Sequence, residues 1–131
     1  MPISATTPPH APKAARRILV VEDETLVAMD LEDMLLSLGC EVVGPVAKVA
    51  RGLVLAREEP LDGAILDINV AGELVYPIAE VLNARGIALV FASGYDRGLG
   101  VPANLADYPR IRKPYTIHDI ERSVDAFMRK D

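Results

Sequence analysis

The sequence predicts an α/β protein of one domain, in which helices cover both faces of a parallel β-sheet. Short, continuous apolar runs alternate with segments whose apolar residues recur at helical spacing, which is typical of buried parallel strands joined by amphipathic helices. The composition agrees, because 50% of the residues are hydrophobic and only 5% are aromatic, which favours an aliphatic core. A length of 131 residues fits one ordinary domain.

The N-terminal part of the chain holds an extension and a first βα unit. Residues 1–15 contain four prolines and no periodic apolar pattern, so we expect a flexible extension before a single domain at residues 16–131. The continuous apolar run at residues 18–21 predicts a strand that is buried on both faces. From Thr25, apolar residues recur at helical spacing as far as Gly39, where a helix is expected to end.

The middle of the chain repeats this alternation. Strands are predicted at residues 42–46, 64–68 and 87–92, and helices at residues 49–56 and at Leu74, Ile78, Val81 and Leu82. The third strand has the same design as the first, because an aliphatic run again ends in a carboxylate, Asp67.

The C-terminal part predicts an irregular fourth helix, a brief fifth strand and a last helix. Glycines and prolines between residues 96 and 109 disfavour a long regular helix there. Ile111 marks the fifth strand, and Thr116 can cap a helix with one apolar face. Five strands alternating with helices predict a doubly wound, flavodoxin-like (βα)5 three-layer sandwich with the strand order 2-1-3-4-5.

Charge and composition exclude several classes of function. A net charge of -5 argues against direct nucleic-acid binding, which draws on clustered positive charge. No apolar run is long enough to span a membrane and no secretory signal is visible, so we expect a cytoplasmic protein with no membrane partner. Cys40 is the only cysteine, which excludes an intrachain disulfide.

Side chains able to do chemistry follow four of the five predicted strands. In a doubly wound sheet the carboxyl ends of the strands share one edge, where ligands bind. We therefore expect five side chains to face one crevice: Glu22, Asp23, Asp67, Ser93 and Lys113. Glu24 is interpreted instead as a solvated residue at the start of the first helix.

The predicted crevice has an excess of negative charge, because three carboxylates share one ammonium group. Hard carboxylate oxygens suit Mg²⁺, with Glu22, Asp23, Asp67 and the backbone carbonyl of Asn69 as candidate ligands. Asp67 is then the candidate nucleophile for a phosphoryl group. Lys113 would contact the phosphoryl oxygens, and the Ser93 hydroxyl would donate a hydrogen bond to one of them.

Four short motifs resemble those of response-regulator receiver domains, the CheY-like domains of two-component signalling: Val21-Glu22-Asp23-Glu24, Leu66-Asp67-Ile68, Ala92-Ser93-Gly94 and Lys113-Pro114. The resemblance covers residues 16–131. It implies that Asp67 accepts a phosphoryl group from a partner histidine kinase or phosphotransfer protein in a Mg²⁺-dependent reaction. It also implies a cis bond between Lys113 and Pro114.

The segment Phe91-Ala92-Ser93-Gly94-Tyr95 resembles a single-domain receiver subfamily with a Phe-Ala-Thr-Gly-any-Tyr-like signature, with Ser93 in place of Thr. This resemblance implies a malleable fourth-helix region and an unknown downstream protein partner. Arg110 stands where many receivers carry an aromatic switch residue, so we expect Tyr95 or its loop to report phosphorylation instead.

The sequence thus favours a switch, with no output domain, that exists as a monomer or weak dimer and is no enzyme beyond self-catalysed phosphoryl transfer and autodephosphorylation. A phosphorylation-independent, degenerate receiver is the main alternative. A phosphatase of the haloacid-dehalogenase type is disfavoured, because Asp67 lies on the third strand and is followed by Asn69 instead of a second aspartate. A flavodoxin is disfavoured because no phosphate-binding loop follows the first strand.

Overall fold

The computed structural model describes residues 15–94 and 101–128. The strands of this part of the chain are β1 (Arg17–Val21), β2 (Glu41–Val46), β3 (Gly63–Asp67), β4 (Asn69–Val70), β5 (Glu73–Leu74), β6 (Ala88–Ser93) and β7 (Arg110–Arg112). Its α-helices are α1 (Thr25–Ser37), α2 (Val49–Glu58), α3 (Tyr76–Ala84) and α4 (Ile117–Met128). Tyr95 and the extension predicted at the N-terminus, except residue 15, lie outside the described residues.

Five strands form one parallel sheet in the order β2-β1-β3-β6-β7. This order corresponds to 2-1-3-4-5 for the five predicted strands, so the flavodoxin-like prediction is confirmed. The strand ends are aligned, since Val21 pairs with Leu66, Asp67 with Ala92, and Ser93 with Arg112. Residues that follow these positions therefore meet at one edge of the sheet.

The sheet separates two hydrophobic cores, because successive side chains of each strand point to opposite faces. One face packs against α2 and α3, and its buried strand residues include Leu19, Leu66 and Phe91. The other face packs against α1 and α4, and its buried strand residues include Ile18 and Ile65. This arrangement is the predicted three-layer sandwich.

A short hairpin between β3 and α3 was not predicted. Its two strands, β4 and β5, pair antiparallel, so Leu74 lies in β5 with 51% of its surface exposed and is not part of α3. The turn is tight because Ala71 (φ 52°) and Gly72 (φ 85°) are both left-handed. Because alanine rarely adopts that conformation, no sign of a turn at Ala71 was visible in the sequence. Leu74 was therefore assigned to the helix on the basis of its spacing, which was wrong.

The described part of the segment between β6 and β7 is irregular, as predicted. This part holds a single 3₁₀ turn, Ala103–Leu105, where a fourth α-helix would lie in a regular (βα)5 repeat. Asn104 donates a hydrogen bond to Glu80 of α3 (2.9 Å), and Tyr108 donates one to Asn83 of α3 (2.6 Å). The ring of Tyr108 also packs edge-to-face against Phe91, with centroids 6.4 Å apart.

The last helix is fixed at both ends. Thr116 caps it, because the backbone N–H of Asp119 donates to Thr116 Oγ1 (3.1 Å) and the carboxylate of Asp119 accepts from the backbone N–H of Thr116 (3.0 Å). Near its other end, Phe127 covers the backbone of Gly63, where an added Cβ would lie 2.3 Å from the ring. Gly63 thus allows α4 to approach β3 closely.

Two backbone features complete the fold. The bond between Lys113 and Pro114 is cis, as the resemblance implied, and that between Gly44 and Pro45 is also cis.

Among the described helices, none has the length and apolar character needed to cross a membrane.

Candidate functional site

Three carboxylates converge at the carboxyl edge of the sheet. Oxygen atoms of Glu22, Asp23 and Asp67 lie within 4.8 Å of one another. Glu22 follows β1 and Asp67 ends β3, and these residues are only 2% and 6% exposed. The alignment of the two strands therefore places two buried carboxylates side by side, as the sequence predicted.

Lys113 supplies the cation at the centre of this cluster. Its Nζ lies 3.0 Å from Asp67 Oδ2, 3.0 Å from Glu22 Oε1 and 3.3 Å from Glu24 Oε1. The backbone fixes its position, because the N–H of Lys113 donates to the carbonyl of Ser93 (2.9 Å) and so extends the pairing of β6 with β7. One ammonium group is thus shared by three carboxylates.

The shared cation leaves the cluster short of positive charge. Burial raises the pKa of Asp67 to about 7, and the neighbouring Glu22 adds to this effect, although Lys113 opposes it. Burial alone would lower the pKa of Lys113, but Asp67 and Glu22 outweigh it and raise that pKa, so Lys113 stays charged. An added divalent cation would favour ionised Asp67.

The donor set fits a hard divalent cation, because carboxylate oxygens converge from two neighbouring strand ends. Asp23 is also tied to the hairpin, since its Oδ2 accepts a hydrogen bond from the N–H of Ala71 (2.9 Å). Asn69 lies at the base of the hairpin, where its backbone N–H approaches Asp67 Oδ1 (3.4 Å) and its side chain accepts from Gly72. The role of the Asn69 carbonyl stays a prediction.

Ser93 lies beside the cluster at the end of β6. It is one residue beyond Ala92, the partner of Asp67 in the sheet, and it is partly exposed. Its backbone carbonyl holds Lys113. The structure thus brings Ser93 to the predicted edge, while the contact of its hydroxyl with a phosphoryl group stays a prediction.

Of the two proposed readout residues, the structure describes only Arg110. Arg110 is exposed, pairs with Phe91 and lies three residues before Lys113, or roughly 10 Å along an extended chain. Tyr95 lies outside the described residues. The means of readout therefore stays a prediction.

Two residues of the site were missed or misread. Tyr115 is only 8% exposed, and its hydroxyl donates to Glu22 Oε1 (3.3 Å). Glu24 is exposed, as expected, but it also pairs with Lys113, and its backbone N–H donates to Glu22 Oε2 (3.0 Å). The signal for Tyr115 was a hydroxyl-bearing aromatic residue two positions after the site lysine.

One cavity lies away from the carboxylate cluster, at the amino ends of the strands. It has a volume of about 470 Å³, and its lining includes Arg17, Asp62 and Arg85. The guanidinium of Arg17 already pairs with Glu41 and Glu59. We interpret this cavity as a surface groove beside a structural ion-pair network, because its cations are engaged and the carboxylate cluster is at the opposite edge.

Comparison with known proteins agrees with the fold. No family model matches the chain. SdrG from Sphingomonas melonis Fr1 is 39% identical, with a TM-score of 0.77, and the match covers 90% of this chain and all of that chain. The response regulator PhyR from Brucella abortus is 29% identical, with a TM-score of 0.70, over 84% of this chain and 46% of that chain.

A curated relative extends the comparison. The transcriptional regulatory protein PdtaR of Mycobacterium tuberculosis (strain CDC 1551 / Oshkosh) is 27% identical over an alignment of 119 residues, and the match covers 84% of this chain and 55% of that protein. The chain thus spans about half the length of the curated relatives it matches first. From the fold and these similarities, the chain belongs to the receiver-domain family of response regulators.

Proposed function

We propose that this chain is a phosphorylation-controlled switch in which Asp67 accepts a phosphoryl group from a phosphohistidine of a kinase or phosphotransfer protein. The observation that carries the proposal is the contact between Asp67 and Lys113 inside the carboxylate cluster. The cluster thus holds three things in one place: Asp67 as the nucleophile, Lys113 as the cation for the incoming phosphoryl oxygens, and carboxylate oxygens as donors to Mg²⁺.

The transfer exchanges one bond to phosphorus for another. An oxygen of Asp67 forms the new P–O bond while the P–N bond to the donor imidazole breaks, and the imidazole nitrogen keeps the electron pair and takes up a proton. The product is an acyl phosphate with more negative charge than the carboxylate it replaces. Mg²⁺, held by Glu22, Asp23 and Asp67, would supply neutralising charge when bound.

The chain's own residues would then stabilise the product. Lys113 already lies 3.0 Å from Asp67 Oδ2, so a small movement brings its ammonium group to the phosphoryl oxygens. The Ser93 hydroxyl would donate to another of these oxygens and draw the end of β6 inward. Such a movement would change the surface beyond β6 that a downstream protein binds.

Incubation with acetyl phosphate and Mg²⁺ tests this proposal. Intact-mass measurement should show a gain of about 80 Da, the mass of one phosphoryl group, that is stable in acid and lost in base. Asp67→Asn should not gain this mass. Asp30→Asn, which changes an exposed carboxylate on α1, is the matched control and should be labelled like the wild type. Absence of labelling in the wild type would overturn the proposal.

Binding of the downstream protein separates this function from that of a degenerate receiver. Phosphorylation should change the affinity for that protein, and Asp67→Ala should remove the change. Equal binding by phosphorylated protein, unmodified protein and Asp67→Ala would favour a phosphorylation-independent module.

A further inference from the structure

The buried carboxylate of Glu22 is held from several sides. Its Oε2 accepts from the backbone N–H of Glu24 (3.0 Å) and from Lys113 Nζ (3.2 Å). Its Oε1 lies 3.0 Å from Lys113 Nζ and accepts from the hydroxyl of Tyr115 (3.3 Å). Lys113 also contacts Asp67, whereas the hydroxyl of Tyr115 is a neutral donor to Glu22 Oε1.

The surroundings of Tyr115 keep its ring in place. It belongs to the hydrophobic core between the sheet and α4, together with Ile120 and Val124. The chain is anchored on both sides, by the contact of Lys113 with Ser93 and by the Thr116 cap of α4.

Lys113 has two competing tasks if Asp67 is phosphorylated. It contacts both Glu22 and Asp67, and the added phosphoryl oxygens would draw its ammonium group away from Glu22. The hydroxyl of Tyr115 would then be the side-chain donor that remains on Glu22 Oε1. A fixed donor of this kind stabilises a metal-binding carboxylate in one orientation.

We propose that Tyr115 is a positioning residue, whose hydroxyl orients Glu22 to bind the divalent cation and holds it there when Lys113 turns to the phosphoryl group. The proposal rests on the proposed function, because it assigns Glu22 to that cation. It gives Tyr115 no contact with the reacting atoms.

Tyr115→Phe tests the proposal, because it removes only the hydroxyl and retains the ring. Isothermal titration of the unphosphorylated protein with Mg²⁺ should show a dissociation constant raised roughly 10-fold. Tyr108→Phe removes a hydroxyl bonded to Asn83, away from the cluster, and should bind Mg²⁺ like the wild type. Circular dichroism and thermal melting should confirm that both variants are folded.

A Glu22→Gln background shows whether Tyr115 acts through Glu22. There, the same Tyr115→Phe change should alter Mg²⁺ affinity by less than about twofold, because coupled residues are not additive. An unchanged affinity for Tyr115→Phe alone would overturn the proposal. An equal loss in both backgrounds would also overturn it, since the hydroxyl would then act independently of Glu22.

A second measurement uses the wild-type protein and does not depend on the folding of a variant. With tyrosine labelled by ¹³C at Cζ, the Tyr115 resonance should move with Mg²⁺ and saturate with the same dissociation constant, while that of Tyr108 stays in place. A Tyr115 resonance that does not respond to bound Mg²⁺ would overturn the proposal. If the wild type bound no Mg²⁺ and accepted no phosphoryl group, the proposed function would fail as well.

Discussion

Lys113 and Asp67 are 46 positions apart in the sequence, yet Nζ and Oδ2 lie 3.0 Å from each other. The contact is partly buried, and the same ammonium group also serves Glu22 and Glu24. Because the cluster contains more carboxylates than cations, this lysine limits the repulsion among them. Replacing Lys113 is therefore the most direct test of how much this cation stabilises the site.

Lys113→Met should destabilise the protein in Mg²⁺-free buffer, because Glu22 and Asp67 would be left buried without their cation. We expect a loss of about 3 kcal/mol in the free energy of unfolding, measured by urea denaturation. Added Mg²⁺ should restore part of this loss. Lys48→Met removes an exposed lysine and should change stability by less than about 0.5 kcal/mol. Equal stability of the two variants would contradict the predicted dependence on Lys113.

The raised pKa of Asp67 predicts a pH-dependent effect of Asp67→Asn. The pKa is about 7 in the folded protein, against about 3.9 in an unfolded chain, so the folded protein binds an extra proton between these values. The free energy of unfolding contributed by Asp67 therefore falls as the pH rises from 4 to 7. Without Mg²⁺, Asp67→Asn should be more stable than the wild type at pH 8, by up to about 4 kcal/mol, and similar to it at pH 4.

Urea denaturation in EDTA at both pH values measures this difference. Asp30→Asn, an exposed carboxylate, should show no comparable gain at pH 8. Mg²⁺ should stabilise the wild type at pH 8 more than it stabilises Asp67→Asn. An Asp67→Asn variant less stable than the wild type at pH 8 without Mg²⁺ would mean that Lys113 outweighs burial at this site.

Gly63→Ala should weaken the packing of α4 on the sheet. The added Cβ would lie 2.3 Å from a ring carbon of Phe127, so the ring or the helix must move. We expect a loss of about 1–3 kcal/mol, measured by thermal and urea denaturation. Gly94→Ala is the control for adding a methyl group, because its Cβ would have no neighbour within 4 Å among the described residues. Equal stability of both variants would contradict the close packing.

Much of the fold and part of the site followed from spacing alone. The strand runs before Glu22 and Asp67 predicted that these carboxylates meet, since the carboxyl ends of parallel strands share an edge. The position of Lys113 at the same edge followed in the same way. Such positions depend on the backbone topology, which the alternation of strands and helices reveals.

The remaining features depend on contacts that periodicity does not encode. The β4–β5 hairpin requires a left-handed Ala71, and alanine gives no sign of that conformation in a sequence. The contact of Tyr115 with Glu22 requires a ring orientation that the core around α4 determines. The hairpin and the Tyr115–Glu22 hydrogen bond could therefore be identified only from the structure.

The irregular segment between β6 and β7 is attached to α3 by side chains. Asn104 and Tyr108 donate to Glu80 and Asn83, which are three residues apart and so share one face of that helix. Leu105, fully buried, anchors the segment between them. Since individual side chains define this corner of the domain, a few substitutions can give it a new shape while the sheet and its acidic edge are preserved.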